Sequence, residues 1–204
     1  MARIDEYQKA RELAVKALEQ EPKEAIARRT GLELEGGKFS ICFLGKEYKI
    51  SYPDFVFGEL NDPQQEVPLQ QQILVLHYLQ AKEQRPLQGK WVSFREIPGA
   101  SFYIGPYMKR NTEPLKKVFG YDPQGFSKAA AKLEMKPVKV GDVGGELEIL
   151  PGVPVQIVLW QGDDEFPPEA SILYDESIRH VFCPEDIAWL GGMLVYKLIA
   201  LHKG

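Results

Sequence analysis

The segment Trp160-Gln161-Gly162-Asp163-Asp164-Glu165-Phe166-Pro167-Pro168 sets three consecutive carboxylates between two apolar stretches. A hairpin connection needs only about two to five residues, so this one is long for a simple turn. Neighbouring carboxylates raise one another's pKa unless a cation neutralises them. A guanidinium would do so, as would Ca²⁺ or Mg²⁺ held by oxygen ligands. The spacing is not the alternating acidic pattern of an EF-hand loop, so no particular metal is specified. A divalent cation stays open here, and no other cofactor is expected. The competing reading is an exposed loop tip, with Phe166 tucked down as an anchor and solvent screening the charges.

The cation best suited to answer this loop is Arg95, in Trp91-Val92-Ser93-Phe94-Arg95-Glu96. As a strand, this segment puts Arg95 on one face with Trp91 and Ser93. Aromatic neighbours imply a partly buried stem whose head needs a partner. That partner is either the acidic loop, in a structural pair, or the carboxylate or phosphate of a ligand bound bidentately.

Charge is also separated along the chain. Lys109, Arg110, Lys116, Lys117, Lys128, Lys132, Lys136 and Lys139 are opposed within their stretch only by Glu113, Asp122 and Glu134. From Asp142 to Glu176 there is no lysine or arginine at all. Either basic helices shield an acidic sheet edge, or each stretch is a solvated face, or the basic face binds an anion or docks a charged partner. The cysteines, Cys42 and Cys183, stand far apart and form no CxxC or Cys/His ladder, which disfavours a zinc or iron–sulfur site built by this chain alone. Two buried free thiols are expected. A Cys183/His180 dyad would require geometry that three-apart loop residues do not guarantee.

These residues must be positioned by ordinary elements. The composition, with 44% hydrophobic and 26% charged residues, is globular, and the net charge of −4 disfavours nucleic-acid binding. The first residues read as a surface helix, not a signal peptide. No apolar run reaches the ~20 residues of a membrane span. A cytoplasmic protein is expected.

Amphipathic spacing of Ile4, Tyr7, Leu13, Ala14, Ala17 and Leu18 predicts a first helix, and a second follows Pro22. Alternation predicts strands around Phe39–Phe43 and Tyr48–Tyr52, joined by a tight turn at Gly45-Lys46 with glycine first. An apolar helix follows Pro68. Lys90–Ile97 reads as a strand, Gly105–Phe119 and Pro123–Met135 as helices, the latter capped by Asp122. Strands are predicted at Glu146–Leu150, Val153–Trp160 and Ala170–Asp175, and a closing helix after Pro184. Val153–Trp160 is apolar on both faces, which predicts a central strand. Gly191-Gly192 in the last helix points to close helix approach. This order of elements predicts an α+β fold, a mainly antiparallel sheet packed with helices. A single domain, 1–204, is expected, with N-terminal helices at about 3–30 and a core at about 38–201.

The strings ILVLHYL, GKWVSFREIPG, VGD at Val140–Asp142 and VPVQIVLWQGDDEFPPEASILYDES together resemble an uncharacterised prokaryotic domain family, mostly of anaerobes. The likeness covers roughly residues 5–200. Some members of that family add a four-cysteine segment for an iron–sulfur cluster, which the two cysteines here cannot build. The resemblance marks Trp91, Arg95, Trp160, Asp163, Glu165, Phe166 and Asp175 as family-typical positions. It implies an accessory protein of anaerobic metabolism. With Asp164 added, these residues are the candidate ligand-binding set. The favoured reading is a non-catalytic module for a small ligand or a protein partner. The alternative is an enzyme using paired carboxylates, with or without a divalent cation, on a small polar substrate.

Overall fold

The computed structural model describes residues 2–82 and 86–204. The chain divides into two compact units: residues up to 82 with His180–Phe182, and residues 86–179 with Cys183–Gly204. The fold is α+β and every strand pairing in it is antiparallel.

The first unit holds helices α1 (Ala2–Leu18), α2 (Lys23–Thr30) and α3 (Leu69–Gln80) and a four-stranded sheet. Its strands β1 (Leu34–Glu35), β2 (Lys38–Phe43), β3 (Lys46–Ser51) and β4 (Phe57–Glu59) follow one another in chain order. In α1 the buried stripe is narrower than the sequence suggests. Ala14 and Leu18 are buried, while Ile4 and Leu13 are exposed. α3 lies against α1 and buries Ile73–Leu76, Tyr78 and Leu79, as its apolar run predicts.

The β2–β3 turn differs from expectation. Phe43 pairs with Lys46, so the turn residues are Leu44 and Gly45, both with positive φ (52° and 73°). That is the backbone of a type I′ turn, whose twist matches the flanking strands. Leu44 tolerates the left-handed conformation because its side chain is buried, which offsets the local steric cost.

The second unit is built on a five-stranded sheet ordered β5-β9-β8-β7-β6. The strands are β5 (Trp91–Ser93), β6 (Lys136–Pro137), β7 (Val143–Leu150), β8 (Val153–Trp160) and β9 (Glu169–Asp175). β8 is central, and every residue from Val153 to Leu159 is buried. Its one amide, Gln156, donates from Nε2 to Glu146 Oε2 of β7 at 2.9 Å, so burial leaves that group satisfied.

Helices α4 (Ile104–Arg110), α5 (Thr112–Phe119), α6 (Pro123–Lys132) and α7 (Pro184–Lys203) pack with this sheet and with one another. Asp122 caps α6 as expected, accepting from Gly125 N at 2.8 Å. The helix predicted over Gly105–Phe119 is two helices, broken at Asn111. This side chain is fully buried, and its Nδ2 donates to Tyr107 O at 3.0 Å and to Ala188 O of α7 at 3.1 Å. The amide thus ties the α4–α5 bend to α7. The close approach expected at the glycine pair falls on Gly191, where a Cβ would collide with Asn111 Oδ1 and the Tyr174 hydroxyl.

Truncating the centre of β8 therefore leaves a cavity that neither face can close. Ile157→Ala should lower the unfolding free energy by about 2–5 kcal/mol, read from the midpoint of a urea melt. An unchanged midpoint would show that β8 is not the core strand.

Candidate functional site

β5 ends at Ser93, where the chain turns into a short 3₁₀ segment, Phe94–Glu96, instead of continuing as a strand. Glu96 causes the turn. Its Oε2 accepts from Ser93 N at 2.7 Å and from Ser93 Oγ at 2.8 Å. The backbone hydrogen bond from Ser93, with help from its hydroxyl, lowers the Glu96 pKa. The turn buries Phe94, whose ring stacks on Tyr107 with centroids 4.0 Å apart, and leaves Arg95 exposed. Arg95 therefore does not share a strand face with Trp91 and Ser93. Among the described residues its guanidinium meets only the soft Met108 Sδ, at 3.7 Å.

Arg95 lines a cleft of about 300 Å³ in the second unit. Lys116 of α5 and Glu169, the first residue of β9, also line it, with Thr112 between apolar walls from Phe94, Ile104, Met108 and Ile172. Lys116 Nζ stands 3.5 Å from Glu169 Oε2, a loose pair. Thr112 Oγ1 is buried and, among the described residues, has no hydrogen-bond partner. The cleft thus carries two cations and one carboxylate.

The acidic loop is held by its own backbone. Asp163 Oδ1 accepts from Glu165 N at 2.8 Å and from Phe166 N at 2.7 Å, and Asp163 N donates to Phe166 O at 2.9 Å. The hydrogen bonds from Phe166 and then Glu165 lower the Asp163 pKa. Gly162 N donates to Gly120 O at 3.0 Å, and a Cβ at Gly162 would come within 2.7 Å of the Tyr121 ring. The loop is therefore docked on the α5–α6 turn through a residue that must be glycine. Phe166 is not the anchor; it is 68% exposed. Trp160, the last residue of β8, is also exposed, as are Asp164 and Glu165. Among the described residues Arg95 forms no ion pair with these carboxylates. Backbone amides hold the loop instead, and Lys116 pairs with Glu169 just after it in sequence.

Trp91 and Asp175 are brought together as cross-strand partners of β5 and β9. Asp175 is 2% exposed. Its carboxylate accepts from Gln88 N (3.1 Å), Gly89 N (2.7 Å) and Ser177 N (3.0 Å), fastening the chain that leads into β5. Burial alone would raise its pKa, but the hydrogen bonds from Ser177, Gln88 and Gly89 outweigh burial and the net shift is downward. Both cysteines are free, and Cys183 is exposed where a buried thiol was expected. Its Sγ is crowded and hydrogen-bonds Asp186 Oδ2 at 3.2 Å. Burial, then that carboxylate, push its pKa up to about 11. An activated nucleophile needs the opposite shift.

Of the expected set, then, only Arg95 lines the cleft. Lys116, Glu169 and Thr112 were not singled out by sequence. The local signal for Lys116 and Glu169 was the charge segregation, which placed a basic stretch and an acidic stretch without saying which members meet.

The second unit is thus a mainly antiparallel sheet covered by helices, with a cation-lined cleft at one end of β9. The chain belongs to the family described as DUF3786, a domain of unknown function, whose model matches residues 23–197. No curated protein and no solved structure matches it. No helix among the described residues is long and apolar enough to cross a membrane, and no group of three or more His, Cys, Asp or Glu among them is placed to hold a metal ion.

The carboxylate of Asp175 leads to a pH-dependent expectation. Asp175→Ala removes the acceptor of buried backbone amides and should cost about 2–4 kcal/mol at neutral pH. Because the folded pKa is depressed, the contribution of the charge is present above the unfolded value near 4 and fades as pH falls through the folded pKa. Urea melts of wild type and Asp175→Asn should therefore converge as pH falls through the folded pKa. A gap that persists unchanged at acid pH would show that the charge contributes nothing.

Proposed function

We propose that this protein is a non-catalytic binding module for a small anionic ligand, held in the cleft of the second unit. The observation that carries the reading is the state of Arg95. Its neighbouring carboxylate, Glu96, is committed to Ser93, and no other carboxylate pairs with it among the described residues. A guanidinium presents a planar fork of donors that suits a carboxylate or a phosphate. Lys116 adds a second positive charge.

A binding role has more support than catalysis by paired carboxylates. Asp163 and Asp175 both accept backbone amide hydrogens, which favours their ionised form and leaves them poor proton carriers. The setting in anaerobic metabolism, and the accessory role within it, rest on the resemblance alone.

Arg95 is exposed and unpaired, so Arg95→Ala should leave the melting temperature within about 1–2 °C of wild type. Binding of a small carboxylate or phosphate ester, followed by isothermal titration calorimetry, should weaken about tenfold to a hundredfold with the loss of a bidentate charged contact. Equal affinity in both proteins would refute the role of Arg95, and no saturable binding to wild type would refute the proposal.

A further inference from the structure

We infer that the cleft takes a monocarboxylate with a short apolar body, and that Glu169 excludes doubly charged phosphate esters from it. This rests on the reading of the cleft as an anion site and adds the class of ligand. The charged groups facing the cleft are Arg95, Lys116 and Glu169. Their formal sum is one positive charge, from two cations and one carboxylate. A bound monoanion neutralises that sum; a dianion reverses it and sets its second charge against Glu169. Like charges brought together in a partly desolvated cleft repel appreciably.

Glu169 is not neutralised tightly enough to drop out of this balance. Its side chain is 62% exposed and its contact with Lys116 is 3.5 Å, longer than a good charge-assisted hydrogen bond. The pair is loose enough for Lys116 to turn toward a ligand carboxylate, while Glu169 remains on the lining. Glu169 is in this sense a specificity-determining residue and not a ligand-binding one.

The walls set the rest of the ligand. Ile104, Met108 and Ile172 offer apolar surface beside the Arg95 head. A volume of about 300 Å³ is at the small end for ligand sites. It equals the liquid volume of about ten waters, which suits a short-chain or single-ring acid. Met108 can adjust to either shape, since an unbranched thioether repacks readily.

Benzoate and phenyl phosphate share a ring and differ in the charge of the head, and butyrate serves as an aliphatic control. Dissociation constants are measured by calorimetry at pH 8, where phenyl phosphate is a dianion, for wild type and Glu169→Gln. Wild type should prefer benzoate over phenyl phosphate by about tenfold, and Glu169→Gln should shift that ratio about tenfold toward the phosphate. Glutamine keeps the size of the exposed side chain, and a melting curve checks that the fold is intact. A wild type that prefers phenyl phosphate, or a ratio that Glu169→Gln leaves unchanged, overturns the inference about charge while the anion site stands. If none of the three compounds saturates wild type at up to ~10 mM, a Kd far weaker than useful recognition, the anion site falls and the inference falls with it.

Discussion

A strand that is apolar on both faces cannot leave either face in water, and β8 imposes this condition on the whole second unit. The run Val153–Leu159 is buried without a break. Antiparallel neighbours satisfy its backbone on both edges, β7 on one and β9 on the other. Its side chains then require cover, and α4 to α7 are packed with this sheet and one another. The cover is pinned by a polar contact. Asn111 breaks one helical run into two and donates to carbonyls on both α4 and α7. Its fit depends on Gly191, which lets the amide and the Tyr174 hydroxyl approach the helix backbone. A buried amide is costly unless hydrogen-bonded, so these bonds restrict where α7 can lie.

Several carboxylates of this unit serve the backbone. Asp122 caps α6, Asp163 closes its own loop, Asp175 fastens the segment before β5, and Glu96 forms the 3₁₀ turn. Each answers amide hydrogens that would otherwise lack a partner, which is why acidic residues concentrate at turns and element starts. The segregated charge of the sequence therefore does not resolve into a lattice of ion pairs. Lys116–Glu169 joins the two stretches, and Arg95 joins none among the described residues.

Much of the framework was legible because it depends on short-range pattern. Continuous apolar character marked β8 as central, alternation marked β2 and β3, and an aspartate before a proline marked the start of α6. The errors came where one side chain redirects the backbone through a contact that periodicity does not encode. Asn111 interrupts a segment whose spacing reads as one helix. Glu96 folds back on Ser93 three residues earlier and ends β5, so alternation assigned Arg95 to the wrong surroundings. Leu44 occupies a left-handed position because the hydrophobic core holds it there, a tertiary effect that outweighs local preference. The Lys116–Glu169 pair spans 53 positions in sequence, and no local rule links residues so far apart. The acidic loop drew attention by composition, yet composition does not reveal that backbone amides already answer Asp163.

The turn at Phe94–Glu96 bears most directly on what the cleft can do. Had β5 continued, Arg95 would have followed the pleat, with Ser93 and Trp91 on its side. Instead the Glu96 carboxylate is drawn onto Ser93 and is withheld from its neighbour, while Phe94 is fixed by its stack on Tyr107. The guanidinium between them is thus mounted on a short, doubly anchored segment, with its nearest acid already engaged. Binding costs fall when the recognising group is held in place before the ligand arrives. A cation without an ion pair among the described residues, next to a lysine only loosely paired, leaves the cleft with more positive charge than its one carboxylate answers.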